Sequence, residues 1–177
     1  MHTGTLVLAL TASLALPGVA AAQATDPMTA NVKVQFNVVK DFIVRSAQKV
    51  PEALYSFRAT PEVRTMGELY GHIADAFFGM CSSAAGDKPP RSGIEKSAKT
   101  KAELVKALQD GAAYCESVMA GMNDKKGSET VQFYFGPTPR LSVLYFNVAH
   151  GYEHYGNLVT YMRLKGIVPP SSETTTK

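Results

Sequence analysis

The sequence predicts an all-α protein, a four-helix bundle. Three observations predict it. Four long stretches carry apolar residues at spacings of three and four, the period of one helix face. Two of these stretches open with a Thr-x-x-Glu capping box, and the others are bounded by proline and glycine signals. The 177 residues hold 45% apolar and 19% charged side chains, an ordinary globular balance with length for one domain and its core. No internal repeat and no second domain is visible.

The chain begins with a different kind of segment. Residues 1–24 contain no Lys, Arg, Asp or Glu. Leu6–Leu16 is an apolar run, broken by Pro17-Gly18 and followed by small residues suited to cleavage after Ala22 or Ala24. These features predict a signal peptide over 1–24, an exported (periplasmic or secreted) protein, and no stable membrane insertion after cleavage. The bundle domain is expected over 25–172, with a disordered tail at 173–177.

The first helix is expected over about 28–49, with Val32, Phe36, Val39, Phe42, Ile43 and Ala47 as its stripe. Val50-Pro51 ends it. A connector follows to Thr65, where Thr65 and Glu68 form the first capping box. The second helix then runs to about Ala84, with Leu69, His72, Ile73, Ala76 and Met80 on one face and Phe77 flanking. A polar loop at 86–99 is long for a helix connection and is a candidate cleft rim. Thr100 and Glu103 cap the third helix, whose stripe is Leu104, Leu108, Ala112, Cys115 and Met119, and Gly121 ends it. Thr130–Phe135 reads as an extended connector without a partner strand. Thr138-Pro139 reads as the N-cap and N1 of a fourth helix over about 140–165, closed by Gly166.

The two cysteines, Cys81 and Cys115, fall in the second and third helices. An oxidising compartment permits a disulfide between them. If those helices are plain antiparallel neighbours, however, the cysteines lie at different levels. The alternative is two buried thiols acting as small apolar residues.

Net charge is +3, with Lys and Arg scattered, and the densest basic run, Lys96–Lys106, is interrupted by Glu103. That pattern gives no nucleic-acid footprint.

The chemistry concentrates in His150-Gly151-Tyr152-Glu153-His154. Two histidines four apart on a helix share a face, about 6 Å apart along the axis. Removing the signal peptide removes His2, leaving His72, His150 and His154. The functional reading is three imidazoles on one divalent ion, Zn, Ni or Fe, with remaining positions open to water or substrate. The bland reading is three unrelated, partly buried, hydrogen-bonded histidines. Small residues near the histidines, Asn147 and Gly151 on one helix and Ala76 and Gly79 on the other, are expected to leave room for an ion and a ligand.

His150-x-x-Glu153-His154 also matches an inverted zinc-protease pattern, but no suitable third ligand follows it downstream. Glu153 is then a solvent-facing carboxylate or a base. Asp75 is a candidate to orient His72 or to supply a fourth ligand. Tyr152 and Tyr155 are candidates for pocket lining or for packing between helices.

Gly71-His72-Ile73-Ala74-Asp75-Ala76 and the C-terminal HGYEHYGNLVTYMRLKGIVPPSS resemble the histidine motifs of the DinB-like superfamily (DinB/YfiT type). The segment Pro51–Arg58 followed by Arg64–Glu68 resembles that family's approach to its second helix. The resemblance spans about residues 28–172. It implies a DinB-type four-helix bundle that binds a divalent metal through His72, His150 and His154. It also implies a small-molecule substrate, and a homodimer is compatible with it. Relatives include bacillithiol- or mycothiol-dependent S-transferases, a mycothiol-dependent maleylpyruvate isomerase and proteins classed as metal-dependent hydrolases. The expected activity is thus a metal-dependent hydrolase or transferase. The alternative is a non-catalytic metal-binding or stress-associated module. An export signal sits poorly with low-molecular-weight thiols, which act mainly in the cytoplasm.

Overall fold

The segment between the second and third long helices decides the topology. The computed structural model describes residues 25–174 together with Met1, so the expected signal peptide lies outside the described residues, as do the last three of the tail. The long helices are α1 (Pro27–Lys49), α2 (Met66–Ala85), α4 (Lys101–Ala120) and α6 (Arg140–Leu164), close to the expected bounds. Short helices α3 (Ile94–Ser97) and α5 (Asp124–Gly127) and a hairpin of β1 (Thr130–Phe133) and β2 (Gly136–Pro139) fill the connections.

Local signals account for the helix ends. Both expected capping boxes form: Thr65 and Thr100 accept from the amides of Glu68 and Glu103, whose carboxylates reach back. α1 has no cap of its own. Asp124 supplies one from α5, accepting from Thr29 N at 2.7 Å and Met28 N at 3.2 Å. Val32, Phe36, Val39, Ile43 and Ala47 are wholly buried, as the stripe predicts, with Phe42 half-buried beside them.

Helix directions follow from which residues meet. α1 and α6 run parallel: Val39 lies against Gly151 and Phe42 stacks on Tyr155. α1 and α4 run antiparallel, since Lys101 Nζ donates to Gln48 O and Lys40 pairs with Glu116. α2 and α6 are antiparallel, with Asn147 beside Cys81 and Tyr161 OH donating to Arg64 O. α2 and α4 are parallel, because Gly67 meets Leu104, Ala74 and Phe77 meet Gly111, and Cys81 meets Cys115. Each helix therefore has two neighbours, in the order α1–α4–α2–α6 around the core. Phe36 and Phe77 meet edge-on across the diagonal, with ring centroids 5.3 Å apart.

The parallel pair corrects the antiparallel expectation and explains the cysteines. Cys81 lies four residues and Cys115 five before the end of its helix, so parallel helices set them nearly level. Cys81 and Cys115 form a disulfide with Cα atoms 5.3 Å apart. The Asn147 amide donates toward both sulfurs, at 3.3 and 3.5 Å, tying α6 to the bridge.

Two further expectations are corrected between α4 and α6. Thr130–Phe133 does have a partner: it pairs antiparallel with Gly136–Pro139, Thr130 opposite Pro139 and Phe133 opposite Gly136. Thr138-Pro139 is therefore strand, and α6 begins at Arg140 with no side-chain cap. Gly136 takes φ 97° after the two-residue turn Tyr134-Phe135, a left-handed value that costs glycine nothing. The expected tail is held where described, as Glu173 pairs with Arg45 and Lys49 of α1. No helix among the described residues is long and apolar enough to cross a membrane.

The bridge closes a sequence separation of 34 residues. On the loop-entropy scale, the double variant Cys81→Ala, Cys115→Ala should lose about 3–4 kcal/mol of unfolding free energy. Urea unfolding followed by circular dichroism measures this, and an unchanged midpoint would show that packing alone aligns α2 and α4.

Candidate metal centre

Three ring nitrogens converge between α2 and α6. His72 is in the second turn of α2, facing His150 and His154 on antiparallel α6. His150 Nε2 lies 3.2 Å from His72 Nε2 and 3.0 Å from His154 Nε2. One nitrogen from each ring falls within 4.8 Å of the others. His154 is buried and the other two are half-buried.

Glu95 holds His72 from behind. Its Oε2 lies 3.0 Å from His72 Nδ1, and its Oε1 accepts from Arg64 Nε at 2.8 Å. Burial pushes the Glu95 carboxyl up, yet the hydrogen bonds from Arg64 and His72 together hold it below the usual carboxylate range. An ionised Glu95 accepts a hydrogen bond from His72 Nδ1–H, which assigns the proton to Nδ1 and leaves the Nε2 lone pair aimed at the other two rings. The Nδ1 atoms of His150 and His154 are buried and have no hydrogen-bond partner among the described residues.

The donor set fits a cation. Two imidazoles on one tetrahedral ion at ~2.0–2.1 Å would hold their nitrogens about 3.3–3.4 Å apart, close to the spacings here. With all three Nε2 atoms unprotonated and no cation between them, the converging lone pairs would repel. Protonation offers little relief, because burial, then the charges of His154 and His72, lower the His150 pKa to about 4. His154 is also lowered, mainly by burial and then by His72, with Glu153 partly opposing.

A cavity of about 680 Å³ opens beside this cluster, walled by the 58–64 segment, the start of α2, Glu95 and the outer face of α6. His154 and Glu153 both line it.

The DinB superfamily sequence profile matches residues 35–158. The chain belongs to the DinB superfamily. Solved structures agree on the fold. A DinB-like protein of Bacillus cereus superposes with TM-score 0.70 at 17% identity, covering 80% of this chain and 95% of that one. A DinB-like protein of Bacillus subtilis gives 0.66 at 16%, covering 81% and 99%. A mycothiol-dependent maleylpyruvate isomerase gives 0.58 at 14%, covering 73% of this chain and 60% of that one. No curated protein matches the sequence.

Within this DinB fold the three expected histidines meet, but several neighbours take other roles. Asp75 makes no hydrogen bond to any of the three rings among the described residues. Its two oxygens accept from the amides of Ile94 and Glu95, at 2.9 Å each, and so set the turn that carries Glu95. Gly151 leaves no room for an ion: a Cβ there would come 3.2 Å from Val39 Cγ2, so the glycine serves the close approach of α1 and α6. Asn147 is fully buried and turned to the disulfide. Gly79 does face open space. Tyr155 packs on Phe42 and hydrogen-bonds Ser171, whereas Tyr152 is exposed. Glu153 is exposed at the cavity, as expected of a solvent-facing carboxylate.

Sequence reasoning missed Glu95 and Arg64. Glu95 sits 23 residues from His72, in the one-turn helix α3, too short for a helical period to place it. The one available signal was Gly71, where a Cβ would lie 2.6 Å from Glu95 Cα.

The lowered His150 pKa sets a pH dependence. The folded metal-free protein keeps this ring neutral to about pH 4, while the unfolded chain takes up a proton near the ordinary value of about 6.5. Stability contributed here is present above about pH 6.5 and is lost progressively as pH falls towards 4. Thermal unfolding of chelator-treated protein should show a midpoint that drops across this window, and His150→Gln should flatten the drop. A midpoint rising on acidification would contradict it.

Proposed function

We propose that this DinB protein binds one divalent metal ion through His72, His150 and His154 and uses it, as a hydrolase or transferase, on a small molecule that enters the adjoining cavity. The convergence of three imidazole nitrogens beside that cavity carries the reading. A bound ion would polarise a substrate group or acidify a coordinated water. The chain's own residues do the rest. Glu95 holds the proton on His72 Nδ1, keeping Nε2 a donor to the ion and fixing the ring's orientation. Burial keeps His150 and His154 neutral, the state in which imidazole ligates. Zn, Ni and Fe all accept such ligands.

We place the reaction outside the cytoplasm. The apolar N-terminal run motivates this, and the Cys81–Cys115 disulfide suits an oxidising compartment. The name of one structural neighbour indicates that it works with mycothiol. A cytoplasmic thiol co-substrate would suit an exported chain poorly, which favours water or another nucleophile here.

Elemental analysis of the purified protein tests the reading. One equivalent of metal is expected, largely lost in the alanine variants of His72, His150 and His154. Equal metal content in all four preparations would refute it. Glu95→Gln should keep the stoichiometry but weaken affinity about 10–100-fold in competition with a chelator.

A further inference from the structure

We propose that Arg58 and Arg64 form an anion anchor in the cavity beside the histidine cluster, so that the ligand of this site is a small molecule carrying a carboxylate. The inference rests on the metal reading above and names the ligand class of that same site.

The cavity wall holds two guanidinium groups and four carboxylates, those of Glu62, Glu68, Glu95 and Glu153. By count alone it would repel an anion. Hydrogen bonds to neutral donors leave a carboxylate its charge, so the attraction has to come from the ion's two charges and from arginine N–H groups that no carboxylate occupies. Glu68 is turned to Thr65 N at 2.7 Å, closing the capping box. Glu95 is clamped between Arg64 and His72. Glu62 and Glu68 both feel the charge of Arg58, without a hydrogen bond to it among the described residues.

The guanidinium groups are mostly unspent. Arg58 gives one hydrogen bond, to Pro61 O at 3.2 Å. Arg64 gives its Nε to Glu95, and its terminal nitrogens have no partner among the described residues. Arginine presents five N–H donors in a planar fork that matches a carboxylate. Arg64 is also well placed, since the chain Arg64–Glu95–His72 sets its guanidinium two hydrogen bonds from a candidate ligand. Tyr161 holds its backbone, accepting nothing and donating to Arg64 O at 3.0 Å.

The donor set strengthens the preference. Three neutral imidazoles cancel none of the charge of a divalent ion, unlike a set containing a carboxylate. A ligand entering this cavity meets that charge together with two arginines, one already balanced by Glu95.

The test uses two hydroxamates that differ in one group. Succinic acid monohydroxamate carries a chelating head and a free carboxylate. Its terminal amide has the same size and head without the charge. Metal content is measured first, and both probes are then titrated calorimetrically into the metal-loaded full chain. The acid should bind about tenfold tighter or more, as a charge-assisted contact implies. The ratio of the two affinities is the readout. It should shrink in Arg58→Gln, which leaves Glu95 and the histidines untouched, and approach one when Arg64→Gln is added. A ratio near one in the unaltered protein, or one unchanged by the substitutions, overturns the anchor while leaving the metal reading standing. A protein that holds no metal overturns both.

Discussion

The backbone of Glu95 lies so close to Gly71 that no side chain fits between them. That contact is where the segment after α2 is fastened on its way back along the helix. α2 has 20 residues, about 30 Å at 1.5 Å per residue, and a helix parallel to it can begin only after the chain has returned that distance. Residues 86–100 make the return. Asp75 captures the amides of Ile94 and Glu95 part-way, and Ile94 is wholly buried beneath. One crossing thus sets the direction of α4, aligns the two cysteines and delivers a carboxylate to the back of His72.

The two ends of α2 then serve different purposes. Near its C-terminus it is tied to α4 by the disulfide and to α6 through Asn147, a buried polar group whose amide is spent on sulfur. Near its N-terminus it faces α6 across the histidines, where half-buried rings and an open cavity replace close packing. α6 reaches both regions, and α1 lies parallel to it with Gly151 allowing close contact. The histidine pair is therefore carried on a helix braced on each side, by Asn147 a turn before His150 and by Tyr155 and Tyr161 one and seven residues after His154. Rigid support of this kind holds ligand nitrogens at fixed separations.

What could be read from the chain alone was what is local. Apolar period and capping boxes act within a few residues, so all four long helices and the i, i+4 histidine pair were legible. The direction of α4 was not, because it depends on the path of a 15-residue connection whose anchors, Gly71 and Asp75, lie on another element. Glu95 was hidden for the same reason. The hairpin was missed because Tyr134-Phe135 lacks the Asn-Gly signature of a two-residue turn, and Pro137 and Pro139 argue against a strand. A two-stranded ribbon needs hydrogen bonds on one edge only, so the prolines are tolerated. Gly151 and Asn147 looked like space for an ion because small size was legible but its cause was not. Each is small for the sake of a neighbour, α1 in one case and the disulfide in the other.

The three histidines are not equivalent, and the asymmetry has a consequence. Among the described residues only His72 has a carboxylate behind it, while the far nitrogens of His150 and His154 are buried without partners. A carboxylate behind an imidazole strengthens it as a donor and fixes its tautomer. Without one, His150 and His154 depend on burial for their neutral state, the state in which imidazole can ligate. Glu95 does not bring its full charge to the site, because Arg64 balances it on the other oxygen. The centre is therefore built to keep its ligands neutral and its own negative charge low. A divalent ion held there would retain most of its charge towards the cavity, where acidifying water or attracting an anion would use it.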